Sequence, residues 1–206
     1  MPGGGVRHAP HWPSAILLAI ATLLLAGCAT TRAPPRTLLP IEAQEQLLRA
    51  LPGFELEGRA GLKAGNASLE WQQSGEQVAV RLAGLLGAGS LRVSWSPTQL
   101  TITDSRGEVY ADADAEAVML QEIGFVPPFD ALRYWMLGLE APGEAATLRT
   151  PSTSGRIGSL IQRQWNISYD QWMSVAADAG GVQLPRRVTI TRDDLRLRVF
   201  VDRWKL

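Results

Sequence analysis

The sequence predicts a mainly β, α+β domain in which one strongly curved antiparallel sheet carries a few amphipathic helices over its concave face. Two observations carry this. Apolar residues recur at every second position through Phe54, Leu56 and Leu62, then Leu69 and Trp71, Val78, Val80 and Leu82, Leu91, Val93 and Trp95, and Leu100 and Ile102. That is the period of half-buried strands. The connectors between these runs are short and turn-like, among them Ser74-Gly75-Glu76, Ser96-Pro97 and Asp104-Ser105-Arg106-Gly107, which favours successive hairpins over parallel crossovers.

Three stretches switch to helical spacing. Over Ile41–Leu51, the residues Ile41, Leu47, Leu48 and Leu51 suit one face; Glu42 and Glu45 come early, Arg49 late, and Pro52-Gly53 ends the run. A second helix is predicted over Asp114–Ile123, with Ala115, Val118, Met119 and Ile123 together. The acidic cluster Asp112, Asp114 and Glu116 at its start complements the helix dipole and can cap free amides, with a catalytic carboxylate pair as the competing reading. The third helix, Phe129–Leu137, follows Pro127-Pro128, groups Leu132, Trp135 and Met136, and stops at Gly138. Strands then resume around Leu160–Tyr169, Gln171–Ala176, Arg187–Thr191 and Leu195–Trp204, separated by Asp170, Gly180-Gly181 and Asp193-Asp194.

The N-terminal region reads as a targeting segment. Arg7 precedes an apolar run from Ala15 to Ala26, and Leu25-Ala26-Gly27 stands directly before Cys28, the only cysteine. This is where a bacterial lipoprotein signal peptide is cut and its new N-terminal cysteine acylated; a plain secretory signal cut elsewhere, or a retained short anchor, is the alternative. The run is about a dozen residues, short of the roughly twenty of a spanning helix. The expected organisation is a signal peptide over 1–27, a lipidated and poorly ordered tether over 28–40 containing Pro34, Pro35 and Pro40, and one domain over 41–206.

Composition excludes several function classes. Twenty basic residues balance twenty acidic ones, so no nucleic-acid surface is expected. Both histidines, His8 and His11, fall in the segment to be removed. A mature chain without imidazole or free thiol has no Ser-His-Asp, Cys-His, zinc or redox-cysteine site. Neither enzymatic activity nor a metal or cofactor is expected, apart from covalent lipid on Cys28.

Two apolar features remain. Trp71, Trp95 and Trp135, with Met119, Leu132 and Met136, fall on the inner side of the expected curve, where ordinary core packing and a cavity lining are both open readings. Leu85-Leu86 sits at a turn between Gly84 and Gly87-Ala88-Gly89. Leucines there either fold back onto the core or meet a partner or membrane.

Taken together, Phe54-x-Leu56-x-Gly58-Arg59, Trp71-Gln72-Gln73, Gly84-Leu85-Leu86-Gly87, Leu132-x-x-Trp135-x-x-Gly138 and Trp204, in this order behind a lipidation site, resemble the LolB family of outer-membrane lipoprotein receptors. The resemblance covers nearly the whole mature domain. It implies an incomplete antiparallel barrel closed by helices around an apolar cavity, a build shared with the soluble periplasmic carrier LolA. It also implies a protruding loop whose leucine, matched by Leu86, promotes transfer into the membrane; Leu85 stands where family members commonly have proline. The implied function is an outer-membrane-anchored, periplasm-facing monomer that accepts lipoproteins from a LolA-like carrier and passes their acyl chains to outer-membrane phospholipid. Ala29 after Cys28 is compatible with that placement. A structural lipoprotein that binds an envelope protein through Leu85-Leu86, with no lipid cavity, is the competing expectation.

Overall fold

The computed structural model describes residues 1, 3, 4, 37–63, 65–85 and 89–206. The expectations for Cys28 and Leu86, and nearly all of the 1–27 segment, lie outside them. Among the described residues there are eleven strands and three helices: α1 (Ile41–Ala50), β1 (Gly53–Leu62), β2 (Gly65–Ser74), β3 (Gln77–Leu85), β4 (Gly89–Ser96), β5 (Gln99–Thr103), β6 (Val109–Ala111), α2 (Asp112–Glu122), α3 (Phe129–Met136), β7 (Leu148–Pro151), β8 (Ile157–Gln162), β9 (Trp165–Ala177), β10 (Gly180–Arg192) and β11 (Leu195–Lys205).

All strands belong to one antiparallel sheet in the order β6-β5-β4-β3-β2-β1-β11-β10-β9-β8-β7. Neighbouring strands in the sheet are consecutive in sequence, except at one seam where β1 pairs with β11, and the consecutive strands β6 and β7 lie at opposite edges. Among the described residues neither edge strand, β6 or β7, has a partner on its outer side, so the sheet is not closed into a barrel. The chain from β6 to β7 carries α2 and α3. Among the described residues no helix is long and apolar enough to cross a membrane.

The alternation seen in the sequence is the burial pattern. In β2, Ala67, Leu69, Trp71 and Gln73 are buried while their neighbours Ser68, Glu70 and Gln72 are exposed. On β11 the inward series Val199 and Val201 jumps to Trp204, because Asp202 is an extra residue where the β1–β11 register shifts. Such a bulge re-aims the residues beyond it. Gly58 lies opposite, and a Cβ there would come within 1.9 Å of the Phe200 carbonyl oxygen. The glycine of the Phe54-to-Arg59 motif is thus a close-approach position that keeps the seam shut.

Several expectations are corrected. Asp170 does not end a strand, since β9 runs unbroken from Trp165 to Ala177. Instead β9 and β10 step out of register beside Asp170 and Arg186, and the hairpin turn falls at Arg163-Gln164, whose φ values are 51° and 65°. This is a mirror-type turn formed without glycine, so its usual sequence signal is missing. Pro185 lies inside β10 beside this irregularity, a position that tolerates a residue with no N–H. The end of the tether is also docked: Leu39 N donates to the Gly181 carbonyl at 2.9 Å, and Gly181 N donates to the Thr37 carbonyl at 3.1 Å. Finally, the N-terminus of α2 has no side-chain cap; the Asp112 carboxylate instead accepts from Leu100 N of β5 at 3.2 Å.

Candidate functional site

The concave side of the sheet and the two crossover helices enclose an apolar hollow. Ala60 and Leu62 of β1, Leu69 and Trp71 of β2, Val80 and Leu82 of β3, Val93 of β4, and Leu197 and Val199 of β11 form its wall. Met119 and Ile123, Phe125 and Pro127, and Phe129, Leu132 and Met136 form its roof. Among the described residues no polar side chain lines it. Strands β1 and β11 contribute only residues near the sheet end that bears the β3–β4 connection, so the hollow lies toward that end. Its volume is about 50 Å³, room for roughly four water-sized spheres.

The roof is held unevenly. The α3 helix has one buried face, Phe129, Ala131, Leu132, Trp135 and Met136, and each large apolar side chain there contributes about 1.5–3 kcal/mol through burial. Its polar groups fasten it on three sides. Trp135 is fully buried, and its indole Nε1 donates to Gln162 Oε1 at 2.7 Å. The phenol of Tyr169 donates to the Trp135 carbonyl at 2.9 Å, and burial pushes that phenol far above its ordinary pKa. Arg133 donates to the carbonyls of Gly75 and Leu51 at 2.6 and 2.7 Å, while Asp130 pairs with Arg163 at 2.6 Å. Gly138 ends the helix with φ +77°, and a Cβ there would lie 2.6 Å from the Trp172 ring. This accounts for the glycine in the Leu132-to-Gly138 motif.

Gln162 organises the segment after α3. It is fully buried, accepts from Trp135 Nε1 and from Ala141 N, and donates to the carbonyls of Ala141 and Glu144. Gln44 does the same for α1: its Oε1 accepts from Arg156 and from Gln183 N, each at 2.9 Å, and its Nε2 donates to the Leu39 carbonyl. Buried amides with such full partnerships specify geometry as well as stability. Sequence reasoning missed both, because a lone glutamine reads as a surface residue; the one available signal was that Gln162 falls two positions after Leu160, on the same face of its strand.

By contrast, α2 is held to the sheet by packing of Ala115 and Met119 and, among the described residues, by one side-chain hydrogen bond, that of Asp112. The helix presents apolar residues on more than one side: Leu120 is exposed while Met119 is buried.

Of the six residues expected to line a cavity, Trp71, Met119, Leu132 and Met136 meet at the hollow. Trp135 does not; it is a bolt between α3 and Gln162. Trp95 also lies off the hollow, stacked on Phe129 with ring centroids 5.8 Å apart. The structure adds Phe125, Phe129 and the β11 pair Leu197 and Val199, which come from regions far apart in sequence. Leu85 is the last residue of β3, so the Leu85–Gly89 connection leaves the sheet at the end toward which the hollow lies.

An open, helix-roofed antiparallel β-sheet with an apolar-lined hollow defines the structural class. The sequence matches the family model described as outer membrane lipoprotein LolB over residues 52–204, and the chain belongs to that family. It is 36% identical to the outer-membrane lipoprotein LolB of Alkalilimnicola ehrlichii over 198 residues, covering 93% of this chain and 96% of the relative. It is 32% identical to that of Aeromonas salmonicida over 188 residues, covering 89% and 92%. With the Chromohalobacter salexigens protein it shares 31% identity over 212 residues, covering 100% and 94%.

Proposed function

We propose that this protein is a receptor that takes lipoproteins from a LolA-like periplasmic carrier, shelters their acyl chains in the apolar hollow, and releases them into the outer membrane to which Cys28 anchors it. The observation that carries the reading is the hollow itself, apolar on every side and offset toward the Leu85–Gly89 loop. An acyl chain of roughly sixteen carbons costs on the order of 12 kcal/mol to expose to water. A purely apolar lining recovers that burial without competing polar contacts.

The hollow in its present state is far too small for such a chain. Its occupation therefore requires the roof to yield. With α3 fixed by Trp135, Arg133 and Asp130, α2 is the element that moves outward, its Asp112 contact and the packing of Met119 being what must give way. No bond is made or broken in this scheme. Direction comes from successively more favourable apolar surroundings, so the receptor holds a chain better than the carrier and less well than a bilayer.

The test is a reconstituted transfer with purified carrier, lipoprotein cargo and liposomes, preceded by binding of an apolar fluorescent probe competed by lipopeptide. Delivery of cargo into liposomes and competitive displacement of the probe are the expected results. A protein that binds neither probe nor lipopeptide overturns the reading.

A further inference from the structure

The apolar wall of the hollow is one stretch of a longer row. Leu56, Trp71, Val80, Val93, Ile102 and Tyr110 are successive cross-strand neighbours from β1 to β6, so their side chains leave the same face of the sheet. Trp71, Val80 and Val93 line the hollow, and Ile102 and Tyr110 do not. Two strand spacings, roughly 10 Å, separate Val93 from Tyr110. At its other end the row meets the β1–β11 seam, where Leu56 pairs with Trp204 and both are buried. At β6 it reaches an open margin, because among the described residues no strand lies beyond.

What covers the β6 end of the row is α2, which packs on β5 and β6. Ile102 is fully buried one strand from the margin, and the buried residues within the helix are Ala115 and Met119. That cover is thin. Alanine offers a single methyl and methionine a flexible, adaptable chain, so lifting α2 forfeits little packing compared with the Phe129, Leu132 and Trp135 face of α3. Tyr110 stands at the rim. It is half-buried and packed against the core, while its phenol donates to Glu108 Oε2 at 2.7 Å. An apolar ring with a polar tip suits a boundary between hydrocarbon and water.

We infer that a bound acyl chain lies across the strands along this row: its terminus in the present hollow, its middle on Ile102 beneath a raised α2, and its ester end at Tyr110, where the attached polypeptide leaves over the free margin of β6. The strip beneath α2 is then a second, covered half of the acyl site, and loading is lateral, between α2 and β6. The inference rests on the receptor reading above and adds where the chain lies and which way it points. A lateral mouth also meets a demand of the cargo. Its polypeptide carries polar backbone that an apolar hollow cannot satisfy, and it stays in water only if the chain enters from an open side.

The experiment uses the full chain and two synthetic acylated peptides, each with a photoreactive diazirine in the acyl chain, one beside the ester and the other at the chain terminus. Adducts are located by fragment mass spectrometry, and those displaced by unlabelled lipopeptide are scored. The ester-end probe is expected to mark Tyr110 and Ile102, and the terminal probe Leu62, Leu197 and Val199. A displaceable terminal probe combined with an ester-end probe that leaves β5, β6 and α2 unmarked overturns the lateral site while leaving the receptor reading intact. Terminal-probe adducts on Tyr110 overturn it as well, since the chain then points the other way. Absence of displaceable adducts from both probes refutes acyl binding, and the lateral site with it.

Discussion

Replacing Gln162 with leucine tests whether one buried amide positions the roof of the hollow. The two side chains are close in volume, so the packing change is small and the effect is polar. The substitution removes the partner of Trp135 Nε1, of Ala141 N and O, and of the Glu144 carbonyl. The Glu144 bond is only partly buried, and its carbonyl can turn to water. The other three are enclosed, and each orphaned buried group costs about 1–3 kcal/mol. A loss of about 3–6 kcal/mol is expected, a large share of the roughly 5–15 kcal/mol that holds a domain together. At about 2–4 °C per kcal/mol for a chain of this size, the melting temperature should fall by about 6–24 °C. Urea unfolding followed by tryptophan fluorescence, with thermal unfolding by circular dichroism, measures both quantities. Gln162→Glu serves as the companion variant: it keeps the two acceptor bonds, loses both donations, and should also be destabilised. A loss below about 1 kcal/mol for Gln162→Leu would refute the reasoning, because the segment after α3 would then be held by apolar packing alone.

Three further outcomes are expected. Gly138→Ala forces a left-handed φ on alanine and drives a methyl into the Trp172 ring, so it should lose about 2–3 kcal/mol in the same urea assay; an unchanged midpoint would show that the helix end relaxes freely. Leu86→Glu should leave the melting temperature unaltered while reducing lipoprotein delivery to liposomes to background, since a charged tip disfavours apolar insertion; wild-type transfer by this variant would remove the loop from the mechanism. Tyr169 holds its proton more tightly folded than unfolded, because burial raises its pKa. Its contribution is therefore complete below the unfolded phenol value of about 10 and is lost as pH rises above it, by up to 1.4 kcal/mol per pH unit. Tyr169→Phe should flatten that alkaline decline while costing about 1 kcal/mol at neutral pH through the lost hydrogen bond to Trp135; identical alkaline slopes in both proteins would contradict it.

The antiparallel hairpins were legible because alternation and turn residues are local properties, and β2 to β5 show both. The helices were legible for a similar reason: Pro127-Pro128 and Gly138 bracket α3 in the sequence as in the structure. What escaped was non-local. The Arg163-Gln164 turn carries no glycine, and Asp170 looks like a turn residue although it marks an irregularity within a long strand. Trp135 was indistinguishable from Trp71 in sequence; one is bonded to Gln162 and the other faces the hollow, a difference created by partners far away in the chain. Leu197 and Val199 of β11 join Ala60 and Leu62 of β1 on the wall only because the seam brings the chain ends together.

That seam has a bearing on biogenesis. Phe200 pairs with Arg59, and Trp204 with Leu56, so the first strand of the domain waits for the last few residues before its second edge is satisfied. During export the polypeptide enters its compartment with the amino end leading. Until the carboxyl end arrives, the strands from β1 onward form a ribbon with one bare margin, exposed to mispairing and to proteolysis. Closure over so long a stretch of sequence is also slow. A transcript truncated by the last five codons would lose the pairs at Glu55, Leu56 and Glu57 together with the buried Trp204, leaving the seam held only between Gly58–Gly61 and Arg198–Val201.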